Sequence, residues 1–560
     1  MVFDYLFETS WEVCNKVGGI YTVLSTKAKT LQEQNRDHII FIGPDVWSEQ
    51  NPSPYFEECA IKGVKLNDSE LPDGIKVRVG RWNVPGTPIA ILVKFQHLIN
   101  SERKNALYGE MWERFSVDSL HSYGDYDEGC MFAYSVARVI EALSNKLCKP
   151  QSKVIAHFNE WTTGMGLLWL KAHAPHIATI FTTHATSIGR SICGNNKPLY
   201  DYLSAYNGDQ MAGELNMQSK HSIEKQAAHN ADCFTTVSDI TATECTELLD
   251  ITPHVVTPNG FEADFVPKTP QALAAARKKA RSVMLNVASK LIGEEMQDDA
   301  MILVTSGRHE YRNKGLDLFC DVLNRMRNSN TTGRQIIAFI MVPGWLKGAR
   351  EDLKANIEGD IKDNRLINPN ITHDLHNFYG DEITGRLAQL QLLNNSFDTV
   401  KVIYVPCYLD GRDGIFNMTY YDLLPGVDIT SFASYYEPWG YTPLESIAFG
   451  VPTVATTLSG YSQWINNYIG NGFETSGSVI FPRGDNNYWE VVEEISTALL
   501  QYAAADDKFV KATRKAAMQT AARASWTNFI KYYNEAFDQA LRSVATREQQ
   551  AEDTKQVFFG

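Results

Sequence analysis

Short β-branched and aromatic runs alternate with longer amphipathic stretches along nearly the whole sequence. This alternation is the pattern of a parallel sheet wrapped by helices. In residues 1–265 the expected strands are 38–42, 75–79, 90–95, 154–157, 178–182 and 234–237. A second block gives 301–305, 336–342, 400–405, 427–431, 453–455 and 478–481. At 560 residues the chain is too long for one core, so two α/β domains are expected, 1–265 and 266–524. An Ala/Lys/Arg-rich stretch near 270–295 and a polar stretch with a helix over 382–393, within 360–396, read as helical insertions. Trp526, Phe529, Ile530, Tyr533, Phe537 and Leu541 recur at helical spacing and predict a C-terminal helix over 525–548 packed on the body of the protein.

Ligands of such sheets bind beyond the C-terminal ends of strands, so the residues after each run matter most. The richest such stretch is Ser434-Tyr435-Tyr436-Glu437-Pro438-Trp439-Gly440-Tyr441-Thr442-Pro443-Leu444-Glu445. It reads as strand, glycine-containing turn and helix, the helix beginning near Pro443. A helix N-terminus favours an anion, and the carboxylates of Glu437 and Glu445 suit hydroxyls, which together suggest a phosphate-bearing sugar or nucleotide. On these residues alone a capped surface turn and a wet helix face are the commoner description. Gly307-Arg308 and Lys314-Gly315 put two cations at another strand end, where they could clamp a diphosphate. Lys16, Gly18 and Gly19 precede a helix and allow close backbone approach to a ligand. His157 and His184 each follow a strand, with Arg190 close behind the second, and Asn259-Gly260 forms a further strand-end turn. Gly-x-Gly-x-x-Gly is absent, which counts against a dinucleotide oxidoreductase.

The net charge of −14 argues against nucleic-acid or anionic-membrane partners, which require a basic face. No apolar run approaches the ~20 residues of a membrane span. The N-terminus lacks the basic and apolar regions of a signal peptide. The 9 cysteines show no Cys-x-x-Cys pair and read as buried thiols in a reducing compartment. A soluble cytoplasmic protein is expected.

Lys16-Val17-Gly18-Gly19, Thr183-His184-Ala185-Thr186, Gly307-Arg308 with Lys314-Gly315, and Tyr436 to Pro443 with Glu445 occur in this order in glycogen synthases. The chain resembles the animal and fungal type, and a few bacterial relatives, from about Trp11 to Trp526. The resemblance implies the GT-B architecture, with two Rossmann-like domains facing across a catalytic cleft and a C-terminal helix crossing back onto the first. It implies transfer of glucose from UDP-glucose to the non-reducing 4-hydroxyl of an α-1,4-glucan such as glycogen, with retention and without a metal or other cofactor. It also implies a priming protein and a homotetramer as partners. Arg308 and Lys314 would then hold the donor diphosphate, and Lys16, Gly18 and Gly19 would approach phosphates or glucose. Tyr420 would stack on uracil and Glu445 would bind ribose hydroxyls. Glu437 and the backbone of Trp439, Gly440, Tyr441 and Thr442 would bind glucose and the distal phosphate, and His184, Arg190 and Asn259 would line the glucose pocket. Glu437 is assigned positioning and charge stabilisation in a front-face reaction, not a covalent intermediate.

Two departures are visible. Animal and fungal enzymes bind glucose 6-phosphate on an arginine-rich helix, whereas the helix here offers Lys508, Lys511, Arg514, Lys515 and Arg523. Lysine cannot copy arginine's bidentate fork, so a solvated helix face is expected. Control by phosphorylation of terminal tails is likewise not expected. ADP-glucose or a small acceptor, and a glucan-binding protein without catalysis, are the alternatives the residues leave open.

Overall fold

A computed structural model of the protein describes residues 3–48, 50–361 and 363–559. The alternation resolves into two compact units, Met1–Glu262 with Trp526–Gly560, and Ala263–Ser525. The first unit holds a sheet in the order β3-β4-β5-β2-β1-β6-β7-β8-β9. Its strands are β1 (Tyr5–Thr9), β2 (Ile39–Pro44), β3 (Phe56–Glu58), β4 (Lys76–Trp82), β5 (Ile89–Lys94), β6 (Val154–Asn159), β7 (Ala178–Thr183), β8 (Cys233–Thr236) and β9 (Val255–Val256). From β5 through β9 all neighbours are parallel, whereas β3 and β4 form an antiparallel edge.

The central strand β1 is absent from the sequence expectations above. Its apolar run is interrupted by Glu8, whose carboxylate is fully buried and paired with buried Lys27 at 3.1 Å. Lys27 projects from the helix Gly19–Asn35, so the charge is neutralised by a partner that only the fold brings near. The C-terminal helix, Trp526–Phe559, is longer than the expected 525–548 and packs on β6 to β9 and on Gly19–Asn35. Trp526 is buried, and its Nε1 donates to Thr26 Oγ1 at 2.7 Å. A Cβ on Gly260 would lie 2.3 Å from the Trp526 ring, so glycine is what lets the indole seat there.

The second unit carries a parallel sheet in the order β14-β11-β10-β15-β16-β17. Its strands are β10 (Met301–Ser306), β11 (Ile336–Met341), β14 (Val400–Val405), β15 (Ile429–Phe432), β16 (Thr453–Thr456) and β17 (Ser478–Phe481). A small antiparallel pair, β12 (Leu346–Ala349) with β13 (His373–Leu375), was not expected. The stretch 360–396 is less helical than expected, its helix running only from Glu382 to Gln389. The helix Pro270–Ile292 starts at a Thr269 cap and stops at Gly293, whose φ is 74°. It is tied directly to the sheet rather than standing out as an insertion. Its Arg277 and Arg281 bind the carboxylate of Asp428 at 2.5 and 2.8 Å, and Asp428 also accepts the amide of Ile302.

The helix expected to be solvated, Asp507–Arg523, departs from that expectation at one position. Lys508, Lys511, Lys515 and Arg523 are exposed, but Arg514 turns inward. Burial pushes its guanidinium down to about 10, and neighbouring Arg277 adds to the shift. Among the described residues no helix is long and apolar enough to cross a membrane.

Candidate active site

In the second unit the strand order turns around β10, with β11 on one side and β15 on the other. A crevice opens at such a switch point beyond the strand ends, and the two flanking loops are the ones the sequence marked. After β10 runs Gly307 to Gly315, and after β15 runs Ala433 to Gly440. The loops are laced together by their backbones. The carbonyl of Asn313 accepts the amides of Tyr435 and Tyr436 at 2.9 and 3.1 Å. Gly315 has φ 67°, and a Cβ there would sit 1.7 Å from the carbonyl oxygen of Ala433. Only glycine permits that approach.

This lacing brings Lys314 and Glu437 into a half-buried ion pair. Glu437 is further fixed by its backbone, whose carbonyl accepts the amide of Gly460. Arg308 is exposed and pairs with Glu310 at 2.9 Å. His309, next in the loop, contacts Asp381 at 3.2 Å, which raises the imidazole above its ordinary value. Gly440, with φ 108°, leads into the helix Tyr441–Ala448, which therefore begins two residues before the expected Pro443. Trp439 is buried, while Tyr441 and Thr442 are half-buried in the first turn.

Glu445 lies on that helix, and Tyr421 donates its hydroxyl to it at 2.8 Å. Burial pushes the Glu445 carboxyl up to about 6. Tyr421, not singled out from the sequence, is stacked on Phe265 at 4.1 Å. Tyr420 reaches back to β10, its hydroxyl 2.8 Å from Ser306 Oγ. Elsewhere in this unit His373, Cys407 and Asp413 gather in one place. The Asp413 carboxylate is already taken by the amides of Ile415, Phe416 and Asn417, and the His373 nitrogens face Thr372 Oγ1 and the Asp413 carbonyl. The cluster is therefore explained as a folded loop.

In the first unit the strand order turns between β1 and β6. The loop after β1 carries Lys16, Gly18 and Gly19. The amide of Gly18 does not stand open for a phosphate, because Glu12 Oε2 accepts it at 2.7 Å along with that of Tyr21 at 2.9 Å. A sequence search finds no signal for this, since any nearby carboxylate could have pointed elsewhere. Gly19 and Lys16 are exposed, with Lys16 Nζ 5.7 Å from the Tyr21 ring centroid.

The ring of His184, after β7, is buried, and its Nε2 lies 3.0 Å from Asn159 Oδ1. Asn159 Nδ2 donates to Glu8 Oε1, and His157 Nδ1 lies 3.2 Å from Glu8 Oε2. The buried Glu8–Lys27 pair thus anchors His184 through Asn159. Desolvation, with the charge of Lys27, pushes the His184 imidazole down to about 3, so it is neutral at neutral pH. His157, the other strand-end histidine, is part of this buried support. Arg190 is exposed on the helix Ser187–Gly194. Asn259 is buried, and its Oδ1 has no hydrogen-bond partner among the described residues.

Comparison with known proteins gives a consistent answer. The profile of the family described as "Glycogen synthase" matches residues 8–357 and 353–558. The liver glycogen [starch] synthase of Mus musculus is 31% identical over 525 residues, covering 83% of this chain and 73% of that protein. The glycogen [starch] synthase of Neurospora crassa is 29% identical over 557 residues, covering 89% and 78%. Among solved structures, the catalytic domain of starch synthase IV from Arabidopsis thaliana, bound to ADP and acarbose, superposes with TM-score 0.57 at 15% identity over 97% of this chain and 99% of that one. The α,α-trehalose 6-phosphate synthase of Burkholderia multivorans gives 0.53 at 11% identity over 98% of each. The fold is GT-B, as the resemblance implied. With the family profile spanning nearly the whole sequence and the switch-point loops built around its motifs, the chain belongs to the glycogen synthase family of glycosyltransferases.

Proposed function

We propose that the protein transfers glucose from UDP-glucose to the non-reducing 4-hydroxyl of an α-1,4-glucan, with retention. The observation that carries this reading is the Lys314–Glu437 pair at the switch point of the second unit. It sets a phosphate-binding cation beside a carboxylate suited to sugar hydroxyls. In the free enzyme the two neutralise each other, and donor binding exchanges that contact for Lys314 on the diphosphate and Glu437 on the glucose. Arg308 adds a second cation. As the bond between glucose C1 and the diphosphate oxygen breaks, its electron pair stays on that oxygen, and Arg308 and Lys314 offset the developing charge. The acceptor hydroxyl attacks C1 from the face the diphosphate leaves, and its proton passes to the departing phosphate. Glu437 stabilises positive charge on the sugar without forming a bond to it.

Tyr420 is assigned to the uracil and Glu445 to the ribose hydroxyls, with Tyr421 holding the Glu445 carboxylate in place. The backbone of Trp439, Gly440, Tyr441 and Thr442 takes the glucose hydroxyls and distal phosphate. His184, Arg190 and Asn259 are assigned to glucose recognition, and Lys16 and Gly19 to phosphate recognition. A homotetramer and a priming protein belong to the same reading. Labelled-glucose incorporation into glycogen tests it. UDP-glucose is expected to be used in preference to ADP-glucose, and Glu437→Gln is expected to abolish most incorporation. Preferential use of ADP-glucose overturns the donor, and full activity of Glu437→Gln overturns the catalytic reading.

A further inference from the structure

Three glutamates from three separate elements converge on the loop that follows β7. Glu160 stands directly after β6, its Oε1 accepting the amides of His184 at 3.0 Å and Ala185 at 3.3 Å. Glu224, on the helix Gln218–Asn230, accepts Thr183 Oγ1 at 3.1 Å on one oxygen. Its other oxygen accepts the amide and hydroxyl of Ser187 at 2.8 and 2.7 Å. Glu244, on the helix Asp239–Leu248, accepts Thr186 Oγ1, which in turn accepts the amide of Gly189. A Cβ on Gly189 would lie 2.0 Å from Glu244 Oε1, so the carboxylate lies hard against the backbone it supports.

We infer that Glu160, Glu224 and Glu244 are positioning residues, a carboxylate cradle that fixes Thr183–Arg190 and so presents His184 and Arg190 to the donor sugar. The inference rests on the proposed placement of that loop against the donor. Two fully buried carboxylates, Glu224 and Glu244, beside a half-buried one are costly, and a loop of ordinary structural importance is satisfied by neutral acceptors or backbone. Glu160 also holds φ at 71°, a conformation that residues with side chains rarely adopt. Strain and buried charge gathered on one loop are expected where precise placement outweighs stability.

The same geometry gives a pH signature. Facing the cradle are Arg190, which draws Glu160 down, the thiol of Cys245 on the helix Asp239–Leu248, and the carboxylates themselves. Burial raises both Glu160 and Glu224 above the usual carboxylate range, with repulsion from Glu224 adding to the shift of Glu160 and repulsion from Glu244 to that of Glu224. The pair therefore keeps a proton to higher pH than free carboxylates do, and its loss as pH rises places adjacent negative charges under the loop. Activity is expected to fall on that alkaline side.

The test measures kcat, KM for glucan, thermal stability and the pH profile in the full-length enzyme with UDP-glucose and glycogen. Glu160→Ala is expected to lower kcat by about 10²-fold with KM for glucan unchanged, as for a misplaced reacting group. Glu160→Gln, which keeps the acceptor oxygen and cannot ionise, is expected to recover most of that loss and to flatten the alkaline limb. Glu224→Gln preserves shape but sets an amide NH2 against the donors of Thr183 or Ser187. It is expected to melt cooperatively and to lose kcat, which keeps the test decisive if Glu160→Ala does not fold. Wild-type kcat in a folded Glu160→Ala or Glu224→Gln overturns the cradle, as does a Glu160→Gln no better than Glu160→Ala. Full kcat in His184→Ala is a separate failure: it removes the placement of the loop against the donor, and the inference falls with it.

Discussion

Lys314 and Glu437 are each half-buried, so their attraction is screened less than at an open surface, and each holds the other's rotamer. Lys314→Ala is expected to reduce kcat by about 10²–10³-fold, the usual loss when one preorganised charge at a developing anion is removed, as read from initial rates of glucose transfer. Glu445 gives a second residue-level outcome. Its carboxyl is raised to about 6, and in the proposed role it would accept ribose hydroxyls more strongly when ionised. KM for UDP-glucose is therefore expected to rise as pH falls through about 6, and Glu445→Gln to show no such rise. At this scale the sequence was informative about identity and poor about pairing. Arg308, Lys314, Glu437 and Glu445 stand out because glycines and strand ends surround them. The hold of Glu12 on Gly18, and of Tyr421 on Glu445, depends on side-chain directions that spacing does not encode.

Among the elements, the decisive contact is the one between the loops after β10 and β15. Gly315→Ala introduces a Cβ at a left-handed position and against the Ala433 carbonyl. Strain at such a position costs about 1–3 kcal/mol before the clash is counted. Gly315→Ala is expected to lower the melting temperature and to lose more kcat than its stability loss explains. Most strands were legible because buried parallel strands are short β-branched runs. Among those missed, the central strand β1 was obscured by Glu8, a charge tolerated in the middle of a sheet because Lys27 meets it from the following helix and Asn159 and His157 meet it from β6. Lys27→Met removes the ammonium partner of that buried carboxylate and is expected to cost about 3–5 kcal/mol in denaturant unfolding, with much of the loss recovered by adding Glu8→Gln. The helix Pro270–Ile292 was legible as a helix within the second domain but was read as an insertion, because its tie to the sheet runs through Arg277 and Arg281 to Asp428, about 150 residues later in the chain.

On the scale of the molecule, the second unit is one continuous segment and the first is not. The first unit's last helix arrives only after the whole of the second has been read. Trp526 seats over Gly260 and bonds Thr26, and Tyr533 lies 4.3 Å from Lys27 Nζ, covering the buried ion pair. Trp526→Ala is expected to destabilise the first unit by about 3–5 kcal/mol and to leave the calorimetric transition of the second unchanged.

The discontinuity also orders events during synthesis. Domains tend to fold as they emerge, N-terminal first, but here the opening 262 residues leave the ribosome without the helix that closes them. Until Trp526 follows, the seat over Gly260 and the ammonium of Lys27 stay open to water and to passing chaperones. The second unit has all its residues before then and can close first. The helix from Trp526 thus acts as the latch on a sheet made long before it, and a transcript cut short before Trp526 leaves that sheet without its latch.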